Sequence, residues 1–271
     1  MRYTLGLIAL ASACGRIGFA PADGPDGASP VDDANTIDAV IAVPDYCALL
    51  PALASLPVLD GVLEPGLVLA QLTPAGWTSG LSPVPAQPAN VTAAFAFAWR
   101  PDGIYALIEV HDPDRYPSPM AGSPFCGDGI ELDVDGDGMF AAPPSYDRPG
   151  TRQFVASAPP DAVSTINSGY AFEMTTPVGA WSSGFVEVPT PDGYRLEAMI
   201  GAAELGVPVN LAGGGRIGID VAINVSVPDG VSRPAGNCMP NLRLGQYSWH
   251  VTTPVDWPFH NVLAFCTPAL E

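Results

Sequence analysis

Between Val91 and Val110 the sequence spells out two strands and the turn that joins them. Val91 to Trp99 alternates, Ile104 to Val110 is aromatic and apolar, and Arg100-Pro-Asp-Gly103 between them carries the residues of a tight hairpin turn. A chain that opens this way must build antiparallel pairs. The same grammar recurs at short intervals, and strands are expected at Leu67 to Thr73, Gly129 to Val134, Arg152 to Ser157, Tyr170 to Thr175, Phe185 to Val188, Tyr194 to Ile200, Arg216 to Val227, Gln246 to Thr252 and Val262 to Phe265. The 31 prolines and 29 glycines follow no Gly-X-Y period, so they punctuate strands. Helical structure is expected only at Tyr46 to Ser55, where small and apolar residues cluster, with one further helical turn at Ala202 to Leu205. The series predicts an all-β chain, a β-sandwich of two antiparallel sheets in a single domain.

Charge narrows the partners. Lysine is absent, the basic residues are ten arginines, and the net charge is −18. Nucleic acid and anionic membrane surfaces repel such a protein. A cation or a neutral ligand such as a sugar suits it.

Residues 1–13 read as an export signal: Arg2 precedes an apolar run from Leu5 to Ala13 that is too short to span a bilayer. Leu10-Ala-Ser-Ala-Cys14 is similar to a bacterial lipobox, which makes Cys14 the acylated first residue of a lipoprotein; ordinary cleavage of the signal is the other reading. Residues 14–45, rich in Pro, Asp, Gly and Ala, are expected to be an extended tether, and residues 46–271 the folded domain. The protein is expected at the outer membrane or cell surface as a monomer, or otherwise periplasmic or secreted. Without Cys14, four cysteines remain, and an even number in an exported chain points to two disulfides. Three pairings are possible. The one adopted joins Cys47 to Cys266 at the domain's two ends and Cys126 to Cys238 between two loops.

Ser123 to Gly138 packs an aromatic, a cysteine and five acidic side chains into one segment. Unpaired charge is costly to bury, so this stretch is expected to be the floor of a site. Glu131 alternates with Ile130 and Leu132 and faces either a cleft or solvent. Asp133-Val-Asp-Gly-Asp-Gly138 has the spacing of a loop that wraps Asp133, Asp135 and Asp137 around calcium, with Asp128 or Asp147 completing the shell. The alternative is an acidic β-turn.

Several segments, in order, resemble the family 9 carbohydrate-binding modules: Val58-Leu-Asp-Gly61; Ala98-Trp99 through Val110-His-Asp112; Phe125 ahead of Gly127-Asp-Gly-Ile-Glu-Leu-Asp-Val-Asp135; Gln153-Phe154; Gly193 to Ile200; Ile217 to Asn224; Ser248-Trp249; and Trp257 to Asn261. The resemblance covers roughly residues 57 to 266. It implies a jelly-roll β-sandwich without catalysis that binds the ends of sugar chains, often with structural calcium. The two aromatics that hold the sugar in the family correspond to Phe125 and Trp257. A pyranose needs flat aromatics against its C–H faces and polar groups around its hydroxyl rim, and Glu131, Arg152, Gln153 and Asn224 supply that rim. Trp99 and Trp249 are expected in the core.

Catalytic signatures are thin. No Gly-x-Ser-x-Gly elbow occurs, and His111, His250 and His260 lack zinc-ligand spacing. An accessory role beside glycoside hydrolases in polysaccharide catabolism fits the family. Two alternatives stand beside sugar binding: a haem-binding electron-transfer domain of the related DOMON-like group, with Met120 and His111 or His260 as axial ligands, and an interaction sandwich that has lost its sugar site.

Overall fold

The hairpin foreseen around Arg100-Pro-Asp-Gly103 forms as β4 (Thr92–Arg100) and β5 (Gly103–His111), paired from Thr92 opposite His111 to Arg100 opposite Gly103. Arg100 Nε donates to Asp102 Oδ1 at 2.8 Å and stiffens the turn. Gly103 is required there, because a Cβ would lie 2.2 Å from the carbonyl oxygen of Ile200 on the next strand. This computed structural model describes residues 44–73, 76–79, 81, 83–118, 124–136, 151–158, 184–205, 211–228, 241–250 and 265–271. The signal, Cys14, the tether through residue 43 and the expected strand Tyr170 to Thr175 lie outside the described residues.

The remaining strands are β1 (Leu49–Leu50), β2 (Ala70–Gln71), β3 (Trp77–Thr78), β6 (Gly129–Asp135), β7 (Thr151–Ser157), β8 (Gly184–Thr190), β9 (Gly193–Gly201), β10 (Gly218–Pro228), β11 (Asn241–Ser248) and β12 (Ala269–Leu270). Short 3₁₀ turns occupy Pro124–Cys126 and Ala202–Leu205, the second as expected. Two five-stranded antiparallel sheets result. The front sheet runs β3-β11-β10-β6-β7 and the back sheet β2-β4-β5-β9-β8. Among the described residues no helix is long and apolar enough to cross a membrane.

Period-two alternation decides what lies between the sheets. The front sheet sends in Ile130, Leu132 and Val134 from β6 and Ile219, Val221, Ile223 and Val225 from β10. The back sheet answers with Phe95, Phe97 and Trp99 from β4 and Ile104, Ala106 and Ile108 from β5. Trp249, just past β11, packs its ring on Phe95 and Phe97 with centroids 4.7 and 5.6 Å apart, so both tryptophans expected in the core are there.

The back sheet is covered on its outer face too. Ala98, Tyr105, Leu107 and Met199 form a second apolar layer under Leu53, Leu59, Leu63, Leu67 and Leu69. Glu197 pins this cover: its carboxylate accepts from Asp60 N at 2.6 Å, Gly61 N at 2.7 Å and Tyr105 Oη at 2.8 Å. Burial pushes the Glu197 carboxyl up, and the hydrogen bonds from Gly61, Tyr105 and Asp60 oppose the shift. Strands buried on both faces explain why β4 and β5 read as nearly continuous apolar runs.

Two expectations need correction. Tyr46 to Ser55 is not helical but a turn over 46–48 that runs into extended chain: β1 pairs in parallel with β12, Leu49 opposite Ala269 and Leu50 opposite Leu270, while Leu53 N donates to Trp99 O at 2.9 Å. Backbone groups paired to the far end of the chain are unavailable to a helix, and Pro51 has no N–H to give one. The disulfide Cys47–Cys266 ties the same two ends, as expected, with Cα atoms 5.2 Å apart. The strand expected at Gln246 to Thr252 begins five residues earlier and runs through Gly245, where a Cβ would fall 2.5 Å from Thr78 O on β3. Only glycine admits so close an edge strand.

Candidate functional site

The outward face of the front sheet is polar where its inward face is apolar. Glu131, Asp133 and Asp135 alternate with the core residues of β6, and Asp220, Asn224 and Ser226 do so on β10. Register brings these strands into line: Glu131 stands opposite Ala222, Asp133 opposite Asp220 and Gln153, and Asn224 opposite Gln246. All of them are buried, Glu131 at 2% and Asn224 and Gln246 at 0% exposure, so hydrogen bonding must compensate for lost water.

It does so around one carboxylate. Asn224 Nδ2 donates to Glu131 Oε1 at 2.8 Å, and Gln246 Nε2 and Gln153 Nε2 donate to Oε2 at 2.6 and 3.2 Å. Arg243 Nη1 lies 3.5 Å from Oε1. Gln246 Nε2 also reaches Asn224 Oδ1 at 3.3 Å. Four strands, β7, β6, β10 and β11, thus each contribute to one amide-lined patch. The small side chain of Ala222, directly beside Glu131, leaves the room for these partners to converge. Burial holds the Arg243 guanidinium below its ordinary value, and the carboxylates of Glu131 and Asp133 oppose that shift.

Of the residues expected at a sugar site, Glu131, Gln153 and Asn224 come together. Phe125 is half-buried in the 3₁₀ turn that packs against β6, β7 and β11. Trp257 lies outside the described residues. Arg152 requires correction: it pairs opposite Val134 and alternates with Gln153, so it belongs to the face that carries Phe154 and Val134 rather than to the face of Glu131. Period-two geometry cannot place adjacent residues 152 and 153 on one face.

Gln246 and Arg243 had no signal in the sequence. They are three residues apart, a spacing that strict alternation sends to opposite faces. The register shift between Val225 and Ser226 leaves Leu244 as an extra residue in β11, since Val225 faces Gly245 and Ser226 faces Arg243. Ser79 Oγ donates to the bulged Leu244 carbonyl at 2.5 Å and holds it out of register. The bulge brings Arg243 and Gln246 to the same side.

The acidic residues divide. Asp133 and Asp135 belong to β6, where same-face neighbours stand about 7 Å apart along the strand. Among the described residues no three His, Cys, Asp or Glu side chains cluster as a metal shell. Asp137 and Asp147 lie outside the described residues. Asp128 is taken up differently: Tyr116 N donates to its Oδ2 and Ser226 N to its Oδ1, tying the chain after β5 to β10. Burial, with the nearby Asp112 carboxylate, pushes the Asp128 carboxyl up to about 8 against those two hydrogen bonds. Cys126 is disulfide-bonded; Cys238, its expected partner, is outside the described residues, as are Met120 and His260. His111 ends β5 and meets Asp192 at 2.9 Å on the surface.

No protein-family model and no curated protein matches the sequence. Among solved structures, a family 9 carbohydrate-binding module from Caldicellulosiruptor kristjanssonii in complex with glucose superposes with a TM-score of 0.50 at 17% identity, covering 82% of this chain and 94% of that one. The chain has the family 9 fold. A structure of a family 9 module from the same organism in complex with cellotriose gives 0.50 at 15% identity, over 83% and 93% of the two chains. At such identity the shared property is the family 9 sandwich itself, and the chemistry must be argued from this chain's own residues.

Proposed function

We propose that the domain is a non-catalytic binding module for the ends of poly- or oligosaccharide chains. The observation that supports this reading is the convergence of Gln153, Asn224 and Gln246, from three strands, on Glu131 of a fourth. Amides held rigidly by a buried carboxylate present fixed donors and acceptors, which is what a rim of sugar hydroxyls requires. Phe125, on a turn packed against the same strands, is suited to lie against a pyranose face, and Trp257 is the proposed second face. Binding between millimolar and micromolar corresponds to about 4 to 8 kcal/mol, within reach of two stacking faces and a few hydrogen bonds. The solved family 9 modules with glucose and cellotriose have this fold, which adds to the case.

The proposal extends to context. The protein is exported and held at the cell surface through a lipid on Cys14, and its module serves beside glycoside hydrolases in polysaccharide breakdown. In this proposal calcium rests on Asp137 and Asp147 together with Asp135 at the end of β6. Removing it with chelator is then expected to lower the melting temperature, and an unchanged transition would leave only an acidic turn.

Calorimetric titration of the purified protein with glucose, xylose and cello-oligosaccharides tests the central reading. Saturable heat that is weakened in Trp257→Ala is expected. No heat and no tryptophan fluorescence change across the panel would reduce the domain to an interaction sandwich.

A further inference from the structure

The Glu131 carboxylate is engaged by three side-chain amides and one guanidinium of the protein itself. Oε1 takes Asn224 Nδ2 and faces Arg243 Nη1, while Oε2 takes Gln246 Nε2 and Gln153 Nε2. Of the roughly four lone-pair sites of a carboxylate, three accept hydrogen bonds from the amides and the remaining side of Oε1 faces the Arg243 guanidinium. Gln246 is in the opposite condition. Its Nε2 serves two acceptors, Glu131 Oε2 at 2.6 Å and Asn224 Oδ1 at 3.3 Å, which fixes the sense of the amide, because a flipped group would set oxygen against oxygen twice. Its Oε1 is fully buried and has no hydrogen-bond partner among the described residues. A buried acceptor left in this state is destabilising until a donor reaches it.

We infer that Gln246, and not Glu131, reads the ligand, by accepting a hydrogen bond from one sugar hydroxyl at Oε1. Glu131 is a positioning residue: it aligns the three amides and touches the ligand only through them. The inference rests on the saccharide reading and narrows its substrate class. An acceptor at the reading position requires a ligand that donates. A free hydroxyl satisfies it; an ether oxygen, a fluorine or a uronate carboxylate presents acceptor to acceptor, and the carboxylate would also stand close to the charge of Glu131. The ligand is therefore a neutral sugar, unsubstituted at the position that Gln246 reads.

The test is calorimetry on the intact protein with glucose, its four secondary monodeoxy analogues and the matching monodeoxyfluoro analogues, which keep an acceptor but cannot donate. At one ring position the deoxy and the fluoro sugar are both expected to bind more weakly than glucose by a factor on the order of 10 to 100. In Gln246→Leu, glucose should fall to the level of that pair, closing the gap. In Glu131→Gln, all affinities should fall together with the gap preserved. A fluoro sugar that binds like glucose at the sensitive position overturns the inference with no variant needed, and so does a gap that survives in folded Gln246→Leu. Failure of glucose and cellotriose to bind the wild-type protein would instead remove the saccharide reading, and this inference with it.

Discussion

Asn224 and Gln246 face each other across β10 and β11, and both donate a side-chain N–H to the carboxylate of Glu131 on a third strand. The pair therefore couples strand register to the polar patch: if β11 slipped by one residue, Gln246 would leave the patch and Tyr247 would enter it.

Truncating one of these amides exposes that coupling. Asn224→Ala removes the 2.8 Å donor to Glu131 Oε1 and leaves a buried charged acceptor short of a partner. A loss of about 1–3 kcal/mol in stability is expected, measured by urea denaturation, together with weaker sugar binding. Unchanged stability would mean that the network contributes nothing to folding.

The cover over the back sheet depends on Glu197. In Glu197→Ala the amides of Asp60 and Gly61 and the Tyr105 hydroxyl lose a shared buried acceptor, and about 3 kcal/mol of destabilisation is expected. Hydrogen exchange should quicken at those two amides first. Gly61→Ala tests the same turn independently, because φ is +81° there and the new Cβ would meet Val188 Cγ2 at 2.5 Å; it should cost about 1–3 kcal/mol.

Stability should fall as pH rises through the neutral range. Asp128 has a folded value of about 8 against an ordinary 3.8, so the folded protein holds a proton that the unfolded chain releases. Such a group contributes fully below pH about 4 and loses its contribution as pH rises through about 8. Asp112 and Glu197, both pushed up by burial, act in the same direction. The melting temperature is expected to decline from pH 5 to pH 8, and Asp128→Asn should flatten that decline; an identical slope in the variant would show that Asp128 does not carry it.

Cys47 and Cys266 close a loop with a sequence separation of 219 beside the two-residue parallel pairing of β1 with β12. Replacing both with serine should lower stability by about 2–5 kcal/mol. Exchange at Ala269 and Leu270 should rise before exchange in β4 and β5 does. Equal protection in the oxidised and the serine protein would show that the backbone pairing suffices.

Alternation along the chain was enough to determine the sandwich. The residues of β6, β7, β9 and β10 announce themselves through period two and the turns that bound them, and β4 and β5 through the apolar runs on either side of the Arg100-Pro-Asp-Gly103 turn. Glu131 could be singled out by its alternation with Ile130 and Leu132, and Gln153 and Asn224 through the segments that resemble the family 9 modules. Three things were decided only by tertiary structure. Leu49 and Leu50 became a strand because Ala269 and Leu270 lie beside them, a partnership more than two hundred residues distant that local propensity cannot register. Arg152 left the site for the other face, since its own strand, begun at Thr151, fixes the parity of every side chain along it. Gln246 and Arg243 joined it because a bulge at Leu244 resets that parity halfway along β11. A bulge is a property of two paired strands, which is why no reading of one strand alone could place those two residues beside Glu131.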